Sequence, residues 1–310
     1  MGFVVSHPWR KNKDAPRMGR PTVLVWEEWS IEICGIPGLK NETWGTQLFA
    51  ERCRMKIIVA IKQVPERDAQ VRVDAAGKWI DESGLQWALN ESDAYALEEA
   101  LQLKEKNGGE VVVVSAGPER VGTTIREALA KGADRAIHID CDDLGSRDAL
   151  GVARLLAAAV KPENADLVLT GLQSEDLGLG QTGVIVAELL GLPHSTLILQ
   201  VEKTETGLKV KRELEEGWFQ TIELPTPAAL TIQSGGNKLR YATLMGIKKA
   251  RTKEVRRVTA AELGVDGAPV VVLERIALPQ KQKTTQMLPG NAKEAAAALV
   301  EKLKFEARVL

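Results

Sequence analysis

The sequence predicts a doubly wound α/β fold, with a mostly parallel sheet, an antiparallel ribbon and an extended C-terminal arm. Two observations lead to this prediction. Unbroken β-branched runs such as residues 111–114 are typical of strands that a parallel sheet buries on both faces. These runs alternate with segments of helical period, and repeated strand–helix–strand units imply right-handed crossovers and parallel strands.

The predicted elements follow one another in a regular order. Strands are expected at residues 56–62, 110–115, 136–139, 166–170, 196–201 and 228–232. Helices are expected at residues 90–107, 118–132, 146–156 and 181–190. Asn90, Pro118 and Ser146 are predicted to begin the first three helices, since these residue types favour helix N-termini. Residues 208–212 and 218–222 are predicted to form the antiparallel ribbon.

The composition excludes several function classes. The formal net charge of -1 provides no global field for nucleic acid. Apolar runs stay well below the roughly 18 residues that span a bilayer, so no membrane insertion is expected. Cys34, Cys53 and Cys141 are too scattered for a disulfide framework or a zinc site, so no metal is expected. A cytoplasmic location is the prediction.

Three segments differ in character, and we predict them as separate regions. Residues 1–54 hold four of the seven tryptophans and lack a sustained period, so we expect a disordered leader or a start-site artefact. Residues 55–235 are the predicted nucleotide-binding domain. Residues 236–310 are the third region. Within this last region, residues 236–257 carry eight Lys or Arg and one Glu.

A glycine-rich loop at residues 171–183 is the strongest candidate for binding phosphate. It follows a strand and precedes a helix, whose N-terminus supplies free N–H donors and a positive dipole end. The alternative is a flexible surface loop. Gly178, Gly180 and Gly183 match a dinucleotide fingerprint, with Glu202 at the acidic position. Their distance from the strand end disfavours NAD, and a Walker A lysine is missing.

Two further loops are weaker candidates. Residues 115–118 place small side chains against a helix start, which also describes an ordinary turn. Residues 90–93 contain two acids, so we expect contact with a base or ribose rather than phosphate; simple capping is the alternative. His7, His138 and His194 form no catalytic pattern, which favours a nucleotide carrier over an enzyme.

From Met55 onward the chain resembles the β subunits of electron transfer flavoproteins. The resemblance covers about four-fifths of the sequence, in the family's order. It rests on residues 59–65, 90–106, 114–118, 130–135, 181–183, 210–217 and 240–244.

The resemblance implies a heterodimer whose α subunit holds most of the FAD, while this chain binds a structural AMP. It further implies docking of acyl-CoA dehydrogenases and related flavin dehydrogenases, with electrons passing to a quinone oxidoreductase. Fatty acid oxidation is the expected setting. The implied AMP contacts are Ala60, Asn90, Glu91, Ser92, Asp93, Ala116, Gly171, Gln173, Ser174, Asp176, Gly178, Gly180, Gln181 and Thr182.

The resemblance also implies that residues 236–310 are a partner-docking loop and a C-terminal arm that packs on the α subunit, and it assigns single residues to partner contacts. Glu213 is expected to pair with an α-subunit arginine. Tyr241, Leu244 and Met245 are expected to dock electron donors, with Leu244 entering a hydrophobic pocket. The nearby Lys248, Lys249, Arg251 and Lys253 are expected to steer the encounter. The alternative is that Leu244 belongs to the domain's own core.

The sequence departs from the family pattern in places. Ser92 stands where some relatives have an aromatic residue, and Ala116 replaces a cysteine. Gly178 and Leu179 replace an acid- and cysteine-containing segment. One alternative is the bifurcating type, with a second FAD in place of AMP; the threonine in residues 180–183 resembles the AMP type. Two further alternatives are a stand-alone regulator resembling universal stress proteins and an NAD-dependent dehydrogenase.

Overall fold

The strands form one large sheet and one small one. The computed structural model describes residues 54–265, 269–279 and 285–309. Within these residues the strands are β1 (Met55–Ala60), β2 (Gln63–Pro65), β3 (Trp87–Leu89), β4 (Gly109–Gly117), β5 (Arg135–Asp140), β6 (Leu167–Gly171), β7 (His194–Lys203), β8 (Leu208–Glu213), β9 (Phe219–Leu224), β10 (Ala228–Ile232) and β11 (Val255–Thr259).

The large sheet is mostly parallel. Its nine strands lie in the order β11-β5-β4-β1-β6-β10-β7-β8-β9, and β2 pairs with β3 separately. Neighbours from β11 to β7 are parallel, whereas β8 and β9 continue as an antiparallel ribbon. The predicted mostly parallel sheet with a ribbon is therefore confirmed.

Helices lie on both faces of the large sheet. The helices of the described residues are α1 (Glu91–Asn107), α2 (Val121–Lys131), α3 (Ala149–Val160), α4 (Thr182–Leu190), α5 (Leu244–Ala250) and α6 (Ala292–Glu301). Ile57 and Val111 pack with apolar residues of α1 and α2. The next residues along both strands, Ile58 and Val112, pack with α3 and α4. The unbroken apolar runs are thus buried on two faces, as predicted.

Two predicted helix starts are wrong. Pro118 lies in a turn whose carbonyl accepts from the Val121 N–H at 3.0 Å, so α2 begins three residues later than expected. Ser146 ends a short 3₁₀ turn. Asp148 caps α3 instead, because its carboxylate accepts from the Gly151 N–H at 2.7 Å.

Three strands, β2, β3 and β11, were not predicted from the sequence. β2 and β3 have three residues each, too short to show a period. β11 combines two valines with Arg256 and Arg257 in the strongly basic segment, which hid its pattern. Because β11 pairs with β5, one segment beyond residue 236 belongs to the large sheet. The division at that residue stays a prediction.

The remaining regions are described only in part. The predicted leader lies outside the described residues, except for Arg54. The C-terminal arm follows β11 and includes α6. Among the described residues, no helix combines the length and apolar character needed to cross a membrane.

Candidate functional site

A cavity of about 590 Å³ lies at the carboxyl edge of the central strands. Ala60, Ala116 and Gly171, from β1, β4 and β6, line it. Ligands of open α/β sheets bind at this edge, and the volume falls in the range of small-molecule and cofactor sites. The cavity is therefore the candidate binding site.

Asn90 and Ser92 hold the glycine-rich loop in place. The Asn90 Nδ2 donates to the Gln173 carbonyl at 3.0 Å, and its Oδ1 accepts from the Glu175 N–H at 3.0 Å. The Ser92 hydroxyl donates to the same Gln173 carbonyl at 2.6 Å. Asn90 precedes α1 as predicted, but its side chain makes no capping bond. It anchors the loop instead.

Asp93 joins two strand ends to the start of α1. Its buried carboxylate accepts from the Lys62 N–H at 2.8 Å and from the Gly171 N–H at 2.9 Å. Burial raises the pKa of Asp93 to about 7, although these hydrogen bonds oppose the rise. A Cβ at Gly171 would lie 2.3 Å from the Asp93 Oδ1 and the Ser92 Oγ, so only glycine fits there.

Lys62 is a site residue that the sequence analysis missed. Its Nζ donates to the Ser174 Oγ at 3.2 Å and to the Asp176 Oδ1 at 2.7 Å, and all three residues line the cavity. Lys62 was predicted to lie inside the first strand. β1 ends at Ala60, which leaves Lys62 at the strand's carboxyl edge, where ligands bind.

Helix α4 directs its N-terminus into the cavity. Gln181, Thr182 and Gly183 line it, and Gln181 makes no side-chain capping bond. Within the described residues, no hydrogen bond uses the backbone N–H groups of Thr182, Gly183 or Val184. A Cβ at Gly183 would lie 2.2 Å from the Thr170 Oγ1, so glycine permits this close approach. The helix start offers unused donors and a positive dipole end.

Most of the predicted contact residues come together at this cavity. The residues that line it are Ala60, Asn90, Asp93, Ala116, Gly171, Gln173, Ser174, Asp176, Gly180, Gln181 and Thr182. The predicted contacts Glu91, Ser92 and Gly178 are not among them. Glu91 instead approaches Arg67 at 3.4 Å, and Gly178 bends the loop at a φ of 62°. Glu202 lies in β7 outside the cavity, which weakens the NAD alternative.

Other lining residues carried no signal in the sequence. Trp79, Trp87 and Arg120 come from the chain around β3 and before α2. Gln63 also lines the cavity and is only 8% exposed. Its Oε1 has no hydrogen-bond partner among the described residues, so the side chain carries a buried acceptor that the protein leaves unsatisfied.

The predicted docking residues lie on the surface. Tyr241, Leu244 and Met245 are 93%, 87% and 63% exposed. Leu244 does not lie outside the strand–helix alternation as expected. It begins α5, where the Thr243 hydroxyl accepts from the Gly246 N–H at 3.0 Å. The alternative assignment of Leu244 to the core is wrong.

One of the four expected steering cations is engaged elsewhere. The Lys253 ammonium donates to the Leu129 carbonyl at 3.0 Å and to the Ala133 carbonyl, at the C-terminal end of α2. Lys248, Lys249 and Arg251 are exposed. Glu213 ends β8, and its Oε2 accepts from the Gln233 Nε2 at 3.2 Å. Its expected pairing with an α subunit stays a prediction.

Comparison with known proteins identifies the family. The sequence model described as "Electron transfer flavoprotein domain" matches residues 78–263. The electron transfer flavoprotein subunit beta of Methylophilus methylotrophus is 40% identical over 259 residues, covering 80% of this chain and 97% of the relative. That of Thermoanaerobacterium thermosaccharolyticum is 37% identical, covering 80% and 98%. That of Mus musculus is 35% identical, covering 82% and 99%. Family model and relatives agree, and the chain belongs to the electron transfer flavoprotein β subunits.

Proposed function

We propose that this chain binds AMP as a structural nucleotide within a heterodimeric electron transfer flavoprotein. Its α-subunit partner would hold most of the FAD. The observation that carries the proposal is the cavity at the carboxyl edge of β1, β4 and β6, with the unpaired N–H groups of α4 at one side. The rest of the lining contains aromatic and apolar side chains, including Trp79, Ile80 and Leu156. This combination suits a phosphate at the helix start and an adenine base against the apolar wall.

The proposed role is that of a carrier rather than an enzyme. Acyl-CoA dehydrogenases and related flavin dehydrogenases would dock at Tyr241, Leu244 and Met245, and a quinone oxidoreductase would accept the electrons. An exposed apolar helix start beside Lys248, Lys249 and Arg251 suits a transient contact with acidic partners, since surface charge raises the on-rate. Fatty acid oxidation and a cytoplasmic location remain the expected setting.

Co-expression with the α subunit tests the nucleotide assignment. The purified heterodimer is denatured and its released nucleotides are separated by chromatography. We expect one AMP and one FAD per heterodimer. Two FAD and no AMP would support the bifurcating type instead. Tightly bound ATP in a stable single chain would support a stand-alone regulator.

A substitution at the helix start sharpens this test. Thr182→Asp places a carboxylate where the phosphate is proposed to lie, so AMP retention should fall. Thr204→Asp is the matched control, because Thr204 lies in the turn between β7 and β8 and does not line the cavity. AMP content that is equal in the two variants would contradict the proposed phosphate position.

A further inference from the structure

Every cation that lines the cavity is already matched to a carboxylate. The three lining cations among the described residues are Lys62, Arg120 and Arg147. Lys62 pairs with Asp176 at 2.7 Å. Arg120 pairs with Glu82 at 2.9 Å, and Arg147 pairs with Asp143 at 2.8 Å. No lining cation is left to meet a highly charged ligand.

Among these carboxylates, Asp176 is the one that lies on the glycine-rich loop and neutralises Lys62. It lines the cavity, as do Ser174 and the first residues of α4. Burial alone would raise the pKa of Asp176, but the charge and hydrogen bond of Lys62 hold the pKa below its ordinary value. Asp176 is therefore ionised at neutral pH, and its negative charge neutralises the ammonium of Lys62.

The positive end of α4 remains as the attraction for an anion. A helix N-terminus acts as about half of a positive charge, confined to its first turn. It can satisfy one phosphate through the N–H groups of Thr182, Gly183 and Val184. Each further phosphate adds negative charge that no unmatched lining cation would meet, and the Asp176 carboxylate would repel it.

We propose that the Lys62–Asp176 pair makes this site selective for a nucleoside monophosphate over the di- and triphosphate. The proposal rests on the nucleotide site of the proposed function and adds a specificity determinant to it. Lys62 places one positive charge in the cavity. Asp176 largely neutralises this charge, so it attracts a bound phosphate only weakly. The site thus rejects ADP and ATP through charge matching, even though its volume would admit a larger ligand.

Calorimetric titration of the nucleotide-stripped heterodimer with AMP, ADP and ATP tests the proposal. The wild type should bind AMP more tightly than ADP, and ADP more tightly than ATP. Asp176→Asn frees Lys62 for a second phosphate, so the ratio of ADP to AMP affinity should rise roughly tenfold, the size of one charge-assisted hydrogen bond. The control Glu175→Gln changes the same charge on the same loop, but Glu175 pairs with Arg67. It should leave the ratio unchanged.

A second variant removes the cation of the Lys62–Asp176 pair. Lys62→Met leaves Asp176 uncompensated, so it should weaken AMP binding while adenosine, which carries no phosphate, binds as in the wild type. An unchanged affinity ratio in Asp176→Asn, or an equal shift in Glu175→Gln, would overturn the selectivity proposal alone. A wild type that binds no adenine nucleotide would overturn the nucleotide site as well.

Discussion

Arg240 holds Glu98 through two parallel hydrogen bonds, from Nε to Oε2 at 2.8 Å and from Nη2 to Oε1 at 3.0 Å. The same guanidinium donates to Glu105 at 2.6 Å. Both acids lie on α1, whose first turn carries Asp93 and adjoins Asn90. One helix therefore anchors the glycine-rich loop near its start and the segment leading to Leu244 farther along.

Removing this ion pair should loosen the docking segment and change the response to acid. Burial alone would raise the pKa of Glu98, but Arg240 and Gln102 bring it below the ordinary value of 4.5. The hydrogen bond from Arg240 likewise lowers the pKa of Glu105. A lowered carboxylate pKa stabilises the folded chain above about pH 4.5, and this stabilisation is lost as the pH falls further.

We therefore expect Arg240→Gln to reduce the free energy of unfolding by ~1–3 kcal/mol at pH 7. The difference from wild type should shrink toward pH 4, which thermal unfolding at both pH values measures. Arg154→Gln, at an exposed arginine of α3, is the control and should cost little. An equal difference at both pH values would show that the ion pair is not the cause.

Asp93 should produce the opposite pH dependence in the chain without nucleotide. Its pKa is about 7 in the folded chain, against an ordinary value of 3.8. As the pH rises, the Asp93 carboxyl ionises at a lower pH in the unfolded chain than in the folded chain. The free energy of unfolding should therefore fall between about pH 4 and about pH 7, and this group should cause no further change above pH 7. Urea unfolding across this range should show the trend in wild type and its loss in Asp93→Asn. Identical slopes in the two proteins would contradict the raised pKa.

The close contact at Gly183 should make α4 intolerant of a methyl group. Gly183→Ala must displace the helix start from Thr170, so both thermal stability and AMP retention should fall. Gly122→Ala is the matched control, because a Cβ there meets nothing within 4 Å. Gly122 lies in the first turn of α2, so that change should be neutral or stabilising by up to ~1 kcal/mol. A Gly183→Ala protein as stable as wild type would show that α4 shifts freely.

Leu244→Ala should weaken docking of the reduced dehydrogenase without affecting folding. Burying one leucine side chain on docking is worth ~1.5–3 kcal/mol, so the apparent KM for the dehydrogenase should rise roughly tenfold or more. Leu189→Ala removes a partly exposed leucine from α4 and serves as control. Loss of the α subunit, of FAD or of AMP in Leu244→Ala would instead assign Leu244 to assembly.

Sequence reasoning recovered the features that depend on local pattern. The buried apolar runs of β1, β4 and β6 predicted a parallel sheet. Most of the residues that were expected to contact a nucleotide lie around one cavity. The resemblance supplied most of those residues and the AMP assignment, whereas the glycine spacing alone indicated a phosphate-binding loop and disfavoured NAD.

The features it missed depend on the tertiary fold. The sequence around Lys62 does not show that its ammonium forms an ion pair with Asp176, which lies more than 100 residues later. Trp79 and Arg120 reach the cavity only because the chain before β3 and the chain before α2 meet there, where Arg120 pairs with Glu82. Lys253 looked like a free cation, but its ammonium satisfies carbonyls at the end of α2.

The position of β11 at the edge of the large sheet has a consequence for solubility. An edge strand presents unpaired N–H and C=O groups on which another chain can add a strand, the first step of aggregation. Arg256 and Arg257 project from β11 and remain substantially exposed, with Glu163 and Glu119 as their partners. Charged side chains on an edge discourage strand addition. The two arginines that concealed this strand in the sequence therefore also protect its open edge.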